Sequence, residues 1–506
     1  MIPLEISLIL EQLRQLKAAD QNALDIYTDL QSKVTDPKIL LALQRLVRDE
    51  AKHVAMEKEI LAILQYEPQV FFSGGEKETE GFAELFSRAG IHLTVGSSGE
   101  LFSKQYNRKR FDLVLLDLDG EARVKDPKGV TSLVRKIRKT HKKVIVLSSR
   151  GDLKWIRAAF EAGSSDYIVN PSNRRELIAR VLATLKGRKR VCCLGGGTGL
   201  FTLLSALKTL PDILLISLVN MSDDGGSSGR LRASFGVLPP GDVRRSLVAL
   251  SNAPEVMNEL MNYRFDRGGE LRDHSLGNLL LTGLTGMKGS MAKAVRAMGD
   301  ILNIQGIVLP ITQTMTEFVA RFENGKVVRG ESRISLCEGS DPALQVRRVW
   351  HEPHAVCDAS AYASILHSDL VIIGPGDLFT SVITNLVIGK VREAISLTRA
   401  KKIYICNLMT RPGETTGLDA REHVRRIVGA LGADRLDYVL ASNARFSKAA
   451  IARYAKLDQH PVLMNAEDDL QGVTKAKTIL ADVADQKELV RHDLQKLRNQ
   501  LLRFLS

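Results

Sequence analysis

The stretch Arg190–Leu200, RVCCLGGGTGL, decides the fold of the long C-terminal part of this chain. It reads as a buried strand that runs into glycines, and the apolar stretch 200–210 that follows has a helical pattern. Such a strand–glycine–helix junction presents free backbone N–H groups and the positive end of a helix dipole to an anion. The run lacks the Lys of a Walker loop, and Leu200 stands where a dinucleotide-binding fingerprint has a glycine. Phosphate binding and a simple tight turn therefore both remain open for this stretch alone.

A second polar loop follows the next predicted strand, Leu214–Val219. Its sequence at 220–232, NMSDDGGSSGRLR, combines paired carboxylates, hydroxyls, glycines and two arginines. Carboxylates can hold hydrated magnesium or ribose hydroxyls, and Arg offers a fork for phosphate oxygens. Both loops follow strands at their carboxyl ends, which is the edge where open α/β sheets bind ligands. The alternative, a solvated surface loop, leaves the buried strand before it unexplained.

Further polar phrases have the same character. PPGDVRR at 239–245 opens a helix, and IGPGD at 373–377 is another strand followed by a glycine loop, with Asn385 shortly after it. NLMTRPGET at 407–415 follows a further predicted strand. Asp242 also suits a helix cap and His274 a buried, hydrogen-bonded histidine, so structural roles for these two residues stay open.

Length and composition limit the classes of protein. At 506 residues the chain should hold about three domains, and 44% hydrophobic with 25% charged residues is typical of a globular protein. Apolar runs are of strand length, and the N-terminus lacks the pattern of a signal peptide, so we expect a cytosolic protein without a membrane span. Five cysteines show no zinc spacing and are expected as buried thiols.

The net charge of +13 comes from short clusters along the whole chain. Only 5% of residues are aromatic, and none of the clusters alternates with stacking aromatics. Nucleic-acid binding therefore rests on charge alone, and attraction of anionic metabolites accounts for the same charge.

From about Arg188 to the C-terminus the chain resembles the gluconeogenesis factor (YvcK) family, a branch of the CofD-like fold. The phrases that carry the resemblance are GGGTGL at 195–200, DDGGSSGRLR at 223–232, PPGD at 239–242, YRF at 263–265, HSLGNLLL at 274–281, IGPGD at 373–377 and CNLMTRPGET at 406–415. Small departures are Arg272-Asp273 before the His, Phe379 in place of Tyr, and Thr384 in place of Pro.

This resemblance implies a Rossmann-like domain that binds a nucleotide-sugar such as UDP-N-acetylglucosamine, linking carbon metabolism to cell-envelope synthesis and cell shape. It implies no settled reaction. The sister branch transfers a phosphate-linked lactyl group with Mg²⁺ held by carboxylates, and by position Asp224 and Asp242 match that metal site. A magnesium-dependent transferase acting on a phosphate- or nucleotide-linked substrate is therefore the alternative to a binding regulator.

The expected ligand site combines these phrases. The glycine loops at 195–199 and 374–376 would hold a diphosphate, which Arg230 and Arg244 would neutralise, while polar side chains would read the ribose, base or sugar. In full, the expected ligand-binding residues are Gly195, Gly196, Gly197, Thr198, Gly199, Asn220, Asp223, Asp224, Gly225, Gly226, Ser227, Ser228, Arg230, Asp242, Arg244, Tyr263, His274, Asn278, Gly374, Pro375, Gly376 and Asn385.

Residues 68–186 alternate strands and helices and resemble a response-regulator receiver domain, in which Asp117 would be the phosphorylated residue and Ser148 the hydroxyl residue. Two features of that family are missing: no carboxylate stands in the stretch 72–75, where the magnesium-binding pair would fall, and Asn170 replaces the lysine. Phosphoryl transfer needs those charges, so a pseudo-receiver used for contacts is favoured over a phosphorylated domain.

Residues 1–66 read as two helices broken at Asp36-Pro37. On the second helix, Leu43, Leu46, Glu50, His53 and Glu57 share one stripe, which resembles half of a rubrerythrin-type metal-binding bundle.

Asn22 stands where the first helix of such a bundle would supply a Glu, so we expect no tight metal uptake. Two helices also make only half a bundle, so we expect an association module that forms a homo-oligomer. The whole chain is thus predicted to be α/β: a helical hairpin (1–66), a doubly wound pseudo-receiver (68–186) and a Rossmann-like CofD-type domain (188–506).

Overall fold

The computed structural model describes residues 4–33, 37–64, 66–74, 76–103, 111–121, 124–141, 143–171, 173–336, 344–464, 470–487 and 489–505. The chain divides into two compact units, residues 1–114 and 115–506, and the division falls inside one strand. Among the helices so described, none combines the length and the apolar character that a membrane crossing requires.

The N-terminal helices form a hairpin of α1 (Leu4–Lys33) and α2 (Pro37–Leu64), and Pro37 occupies the first position of α2, where its missing N–H costs nothing. The two helices pack against each other, and Leu43 and Val54 are buried between them. The predicted stripe is only partly covered, since Leu46 and His53 are exposed. Among the hairpin side chains that the structure describes, six large apolar ones remain 41–56% exposed: Leu16, Ile26, Leu30, Leu41, Leu46 and Met56.

A five-stranded sheet with the order β2-β1-β3-β4-β5 follows. Along the chain its strands alternate with helices, as predicted. β1 pairs with β2, and β4 with β5, in parallel. The elements are β1 (Gln69–Ser73), α3 (Glu76–Arg88), β2 (His92–Gly96), α4 (Ser98–Leu101), β3 (Leu113–Asp117), α5 (Pro127–Thr140), β4 (Val144–Ser148), α6 (Leu153–Glu161), β5 (Asp166–Val169) and α7 (Arg174–Lys186).

The C-terminal part is built on a seven-stranded parallel sheet with the order β15-β14-β13-β12-β6-β7-β8. Its first elements are β6 (Lys189–Gly195), α8 (Gly197–Leu207), β7 (Ile213–Val219), α9 (Gly226–Phe235), α10 (Gly241–Leu250), α11 (Glu255–Asn262), a 3₁₀ turn (Gly269–Leu271), α12 (Leu276–Lys288), α13 (Met291–Ile301) and β8 (Ile307–Pro310).

The chain then forms a small antiparallel sheet, β10-β9-β11, which the alternating sequence pattern does not predict. The remaining elements are β9 (Glu317–Phe322), β10 (Val327–Arg329), α14 (Glu331–Ser335), β11 (Val346–Glu352), α15 (Ala359–Leu366), β12 (Leu370–Ile373), a π-helix (Leu378–Ile383), α16 (Thr384–Leu386), α17 (Val391–Leu397), β13 (Lys401–Ile405), α18 (Ala420–Leu431), β14 (Tyr438–Ser442), α19 (Lys448–Ala455), β15 (Lys477–Ala481), β16 (Ala484–Asp485), β17 (Arg491–His492) and α20 (Leu494–Leu502).

The strand order of the seven-stranded sheet reverses between β6 and β12, because β7 and β8 continue on one side of β6 and β13 to β15 on the far side of β12. In register, Leu194 of β6 lies beside Ile373 of β12. The glycine loops that follow the two strands therefore leave the sheet side by side, at the point where doubly wound sheets bind ligands.

The described cysteines are buried free thiols, as the sequence predicts: Cys192, Cys193, Cys357 and Cys406. Burial in the apolar core raises the pKa of the Cys192 thiol to about 12, which keeps it protonated and unreactive. Cys337 lies outside the described residues.

A buried ion cluster joins α7 to the helices of the C-terminal part. Arg180, with its side chain 1% exposed, lies 3.1 Å from the Asp166 carboxylate and donates to Glu176 at 3.0 Å. Its other nitrogen donates to Ser364 Oγ of α15 at 2.8 Å, and Glu176 also pairs with Arg296 of α13. Although burial alone would raise the pKa of Asp166, the neighbouring arginines hold it below its ordinary value, so the carboxylate stays charged.

Replacing Arg180 by Met should remove the cation while keeping most of the side-chain volume. The carboxylates of Asp166 and Glu176 would then stay buried without Arg180, which costs about 3–5 kcal/mol of stability. Urea unfolding at pH 7 measures the loss. Arg157→Met, which breaks the exposed pair between Arg157 and Glu161, is the control and should cost at most about 1 kcal/mol. Equal losses in the two variants would show that the buried cluster contributes nothing special.

Candidate functional site

A cavity of about 490 Å³ lies at the reversal of the strand order, at the carboxyl ends of β6 and β12. Eight separate segments of the C-terminal unit surround it. The lining residues are Gly196, Gly197, Thr198, Gly199, Thr202, Asp223, Asp242, Arg245, Glu331, Ser335, Pro375, Gly376, Asp377, Thr380, Ser381, Asn407, Leu408, Met409, Thr410, Arg411, Tyr454, Gln459, Val490, Arg491 and His492.

The floor of the cavity is a backbone-to-backbone contact between the two glycine loops. The N–H of Gly374 donates to the carbonyl of Leu194 at 2.9 Å, and a methyl group at Gly199 would overlap the carbonyl of Pro375. No side chain caps α8 at Gly196, so the first turn of the helix faces the cavity with backbone groups. Only glycines permit such a close approach of two backbones. A simple tight turn therefore does not explain all the glycines at 195–199.

Three carboxylates meet on one wall of the cavity: Asp223, Asp242 and Glu331. Asp242 lies in the first turn of α10 and close to Gly196, where an added methyl group would come within 2.5 Å of the Asp242 Oδ2. Glu331 begins α14 and accepts hydrogen bonds from Asn220 Nδ2 at 3.2 Å and from Ser222 Oγ at 3.0 Å.

Two of these carboxyl groups, Asp242 and Glu331, have a raised pKa. Burial, reinforced by the charge of Asp223, raises the pKa of Asp242 to about 6, although Arg245 lies 3.9 Å away and lowers it. Burial and then the charges of Asp223 and Asp242 raise the pKa of Glu331 well above its ordinary value. A cation placed among the three carboxylates would lower the cost of burying their negative charges and would reduce the repulsion between them. Carboxylate oxygens are also suitable ligands for Mg²⁺. The oxygens of Asp223, Asp242 and Glu331 do not all lie within 4.8 Å of one another in this structure, so the three side chains would have to move closer together to hold one divalent cation.

A second acidic group closes the other side. Glu414 accepts hydrogen bonds from the Thr380 and Ser335 hydroxyls at 3.0 Å each, and burial followed by the charge of Asp377 raises its pKa to about 7. Arg411 pairs with Asp377 at 3.0 Å and lies 3.6 Å from Glu414. This group ties the loop after β13 to the π-helix and to α14, and it leaves Arg411 and Asp377 on the cavity surface.

The structure brings some of the sequence-predicted ligand residues together and places others elsewhere. Eight of them line the cavity: Gly196, Gly197, Thr198, Gly199, Asp223, Asp242, Pro375 and Gly376. Gly195 ends β6 and Gly374 directly follows β12, both just behind the cavity, and Asn220 donates a hydrogen bond to Glu331. Asn385 donates to the Ser381 carbonyl.

Asp224, matched by position to a metal ligand, lies outside the cavity lining. Its Oδ1 accepts hydrogen bonds from the backbone N–H and the hydroxyl of Ser332, both at 2.7 Å. It thereby fixes the first turn of α14 and positions the neighbouring Glu331.

Arg244 and His274, both expected as ligands, belong instead to a separate buried network. Ser227 Oγ lies 3.0 Å from His274 Nδ1 and accepts from Asn278 Nδ2 at 3.1 Å. Arg244 donates to Asn278 Oδ1 at 3.0 Å, and burial, with the nearby charge of Arg245, lowers its pKa to about 10. These side chains tie α9, α10 and α12 together.

The other predicted residues lie on or near the same helices. Arg230 donates to the carbonyl of Arg272, and Tyr263 is half exposed with its ring against Phe265. Gly225 and Gly226 begin α9, which also contains Ser228.

Sequence reasoning missed Glu331, which stands 89 positions after the Asp242 carboxylate in a phrase that follows no strand of the main sheet. Arg245 and Arg411 were also missed as cavity residues, although both stand inside conspicuous polar phrases. The signal that could have found them is a positively charged residue close to a glycine loop that can bind an anion.

In the hairpin, Asp20, Glu50 and His53 bring one ligand atom each within 4.8 Å of one another. Asp20, two residues before the position at which the sequence suggested a Glu, provides the facing carboxylate, and Asn22 is exposed. In the receiver-like part, Asp117 is buried and accepts from the backbone of Asp119, while Ser148 donates to the Asp119 carboxylate at 2.9 Å.

Comparison with known proteins gives a consistent picture. The family model described as 2-phospho-L-lactate transferase CofD matches residues 191–502, and the response regulator receiver domain matches residues 77–182. Putative gluconeogenesis factors of Nostoc sp. and Thermotoga maritima are each 39% identical, covering 68% and 62% of this chain and 75% and 99% of their own lengths. The crystal structure of a UPF0052 family protein from Bacillus halodurans is 38% identical, with a TM-score of 0.59, and covers 62% of this chain and 99% of its own.

Replacing Asp242 by Asn should stabilise the protein above pH 6. A carboxyl with a folded pKa of about 6 binds a proton more tightly when folded than when unfolded, so its contribution to stability falls as pH rises from 4 to 6. The amide avoids that penalty, which is about 1–3 kcal/mol at pH 8 for a shift of this size. Urea unfolding at pH 4 and pH 8 measures it, with the exposed Asp266→Asn as control. A difference that does not depend on pH would contradict the raised pKa.

Proposed function

Since the chain belongs to the gluconeogenesis factor family and carries a CofD domain, we propose that its cavity binds a nucleotide-sugar such as UDP-N-acetylglucosamine. In this proposal the protein is a cytosolic regulator that links carbon metabolism to cell-envelope synthesis and cell shape. The observation that carries the proposal is the pair of glycine loops after β6 and β12, which meet at the reversal of the strand order.

The backbone of these loops suits a diphosphate. The uncapped first turn of α8 offers N–H groups and the positive end of the helix dipole. Arg245 and Arg411 stand on the cavity surface as counter-charges. A volume of about 490 Å³ lies within the usual range for small-molecule sites, which is about 300–1,000 Å³.

The charge balance of the cavity supports a divalent cation beside the nucleotide. Its lining contains four carboxylates (Asp223, Asp242, Glu331 and Asp377) and three arginines (Arg245, Arg411 and Arg491). A diphosphate adds further negative charge, so it needs a cation in addition to the arginines. Mg²⁺ is commonly held between a few carboxylates and substrate phosphates, where it would neutralise the phosphate charge. We therefore propose Asp223, Asp242 and Glu331 as its ligands, which would draw together around the ion, since their oxygens do not all lie within 4.8 Å of one another without it.

Titration calorimetry of the full chain with UDP-N-acetylglucosamine and Mg²⁺ tests the proposal. Gly197→Asp should abolish saturable binding, because it places a carboxylate near Arg245 and Ser381 in the anion site. Gly187→Asp is the matched control: Gly187 also has a positive φ, and no atom lies within 4 Å of an added Cβ. It should bind like the unchanged protein. Absence of heat with every uridine nucleotide, with and without Mg²⁺, would falsify nucleotide-sugar binding.

The second candidate function is a magnesium-dependent transferase acting on a phosphate- or nucleotide-linked substrate. The observation that favours it is the excess of carboxylates, since binding alone gains little from three mutually repelling acids. Chromatography of labelled nucleotide-sugar after incubation with the protein and Mg²⁺ separates the two functions. A new product that Glu331→Gln no longer forms identifies the transferase, whereas intact ligand identifies the binding regulator.

We also propose that the hairpin mediates homodimerisation. Exposed apolar side chains on both helices, such as Leu30 and Leu46, would become buried if two hairpins formed a four-helix bundle around a twofold axis. Changing both to Glu should convert a dimer into a monomer in light scattering of the full chain. The control is Lys52→Glu, a charge change at an exposed site of α2. If the double variant keeps the mass of the unchanged protein, the hairpin is not the dimer contact.

A further inference from the structure

A second and larger cavity, of about 780 Å³, lies in the C-terminal unit between β11, the π-helix, α17 and α18. The proposed function does not use it. Its lining includes the cationic residues Arg347, Arg348, Arg392, Arg425 and Arg426, together with apolar side chains of β11 and the π-helix.

The rim of this cavity is strongly cationic. Six of its lining residues are Arg or Lys, and Glu422 is the one carboxylate among them. Glu422 is already paired with Arg425. Several arginines from two different helices and a strand therefore converge with little neutralisation from the lining itself, and guanidinium groups are well suited to phosphate.

One of these arginines has an unused donor. Arg426 donates through Nη2 to Gln345 at 3.3 Å, but its Nε is buried and has no hydrogen-bond partner among the described residues. A buried donor without a partner is costly, which is unusual unless a ligand supplies the acceptor. Buried Nε atoms without a partner among the described residues also occur at Arg190, Arg411 and Arg498, so the orphan nitrogen is compatible with an anionic occupant, while the convergence of cations carries the argument.

The inner wall is apolar. Val349, Phe379 and Ile383 line it together with the indole of Trp350, which is fixed by a hydrogen bond from its Nε1 to Glu352 at 2.6 Å. An inorganic anion would leave this wall uncovered, and a neutral ring would leave the arginines unneutralised. We propose that the second cavity binds a polyanion that carries a planar ring, that is, a ligand of the nucleoside diphosphate class.

The two cavities share the π-helix. Thr380 and Ser381 line the first cavity, whereas Phe379 and Ile383 line the second. A ligand that moves the ring of Phe379 would act on the residue next to Thr380, because both belong to one turn. We therefore expect the second cavity to regulate the first, and π-helical turns are often found at functional sites.

Tryptophan fluorescence tests the proposal in the full chain. The chain has two tryptophans, and Trp155→Phe leaves Trp350, in the cavity wall, as the reporter. ADP should change its fluorescence saturably, and Arg426→Gln and Arg347→Gln should each weaken binding at least tenfold. Arg267→Gln, an exposed site outside both cavities, is the control and should leave binding unchanged. Inorganic pyrophosphate should bind at least tenfold more weakly than ADP, because it lacks the ring.

Gly197→Asp separates the two cavities. The fluorescence response to ADP should persist in the Gly197→Asp variant. In the protein that keeps Gly197, a saturating concentration of ADP should shift the Kd for UDP-N-acetylglucosamine about fivefold or more. A response lost in Gly197→Asp would place ADP in the first cavity and overturn the proposal. So would an unchanged response in both arginine variants, or binding of an acidic peptide but not of ADP. An unchanged Kd would overturn the regulatory link.

Discussion

The backbone of the loop after β6 touches the backbone of the loop after β12, and the geometry of the first cavity depends on this contact. Gly199 must lack a side chain because the Pro375 carbonyl occupies the space where one would be. Gly374 completes the contact with a hydrogen bond to Leu194. The parallel pairing of β6 with β12 brings the loops to this distance, so the cavity is a consequence of the strand order.

The acidic wall has a different origin. Asp223 follows β7 and Asp242 begins α10, but Glu331 comes from the small antiparallel sheet, whose β10 leads directly into α14. Asp224 accepts two hydrogen bonds from Ser332 and thereby holds α14 in place. The two adjacent carboxylates thus have different roles: Asp223 lines the cavity, and Asp224 positions Glu331. Because Asp242 and Glu331 have raised pKa values, their ionised forms lower the stability of the ligand-free protein. Such a cost is typical of sites that bind a ligand.

Much of this arrangement follows from local sequence. The run at 195–199 and the phrase at 373–377 each sit at the end of a buried strand, and the prediction of an α/β fold with a CofD-like domain behind a receiver-like one is confirmed.

Glu331 could not be found in this way, because the hydrogen bonds that place it join residues 109 and 111 positions apart. The roles of Arg244, His274 and Asn278 were equally hidden. A polar residue in a conspicuous phrase can serve a ligand or a buried network, and only the packing of α10 against α12 shows which. For Asp224, likewise, the sequence shows a carboxylate in the loop but not the Ser332 that it binds.

The central claim is that Asp223, Asp242 and Glu331 hold a divalent cation beside a nucleotide-sugar diphosphate. A crystal structure of the full chain with UDP-N-acetylglucosamine and Mn²⁺, measured at a wavelength where manganese scatters anomalously, tests it most directly. The account predicts an anomalous peak within about 2.0–2.6 Å of oxygens from these carboxylates and from the diphosphate, the range for hard cations. A nucleotide bound in the cavity without that peak, or a peak on Asp224 instead, would contradict it.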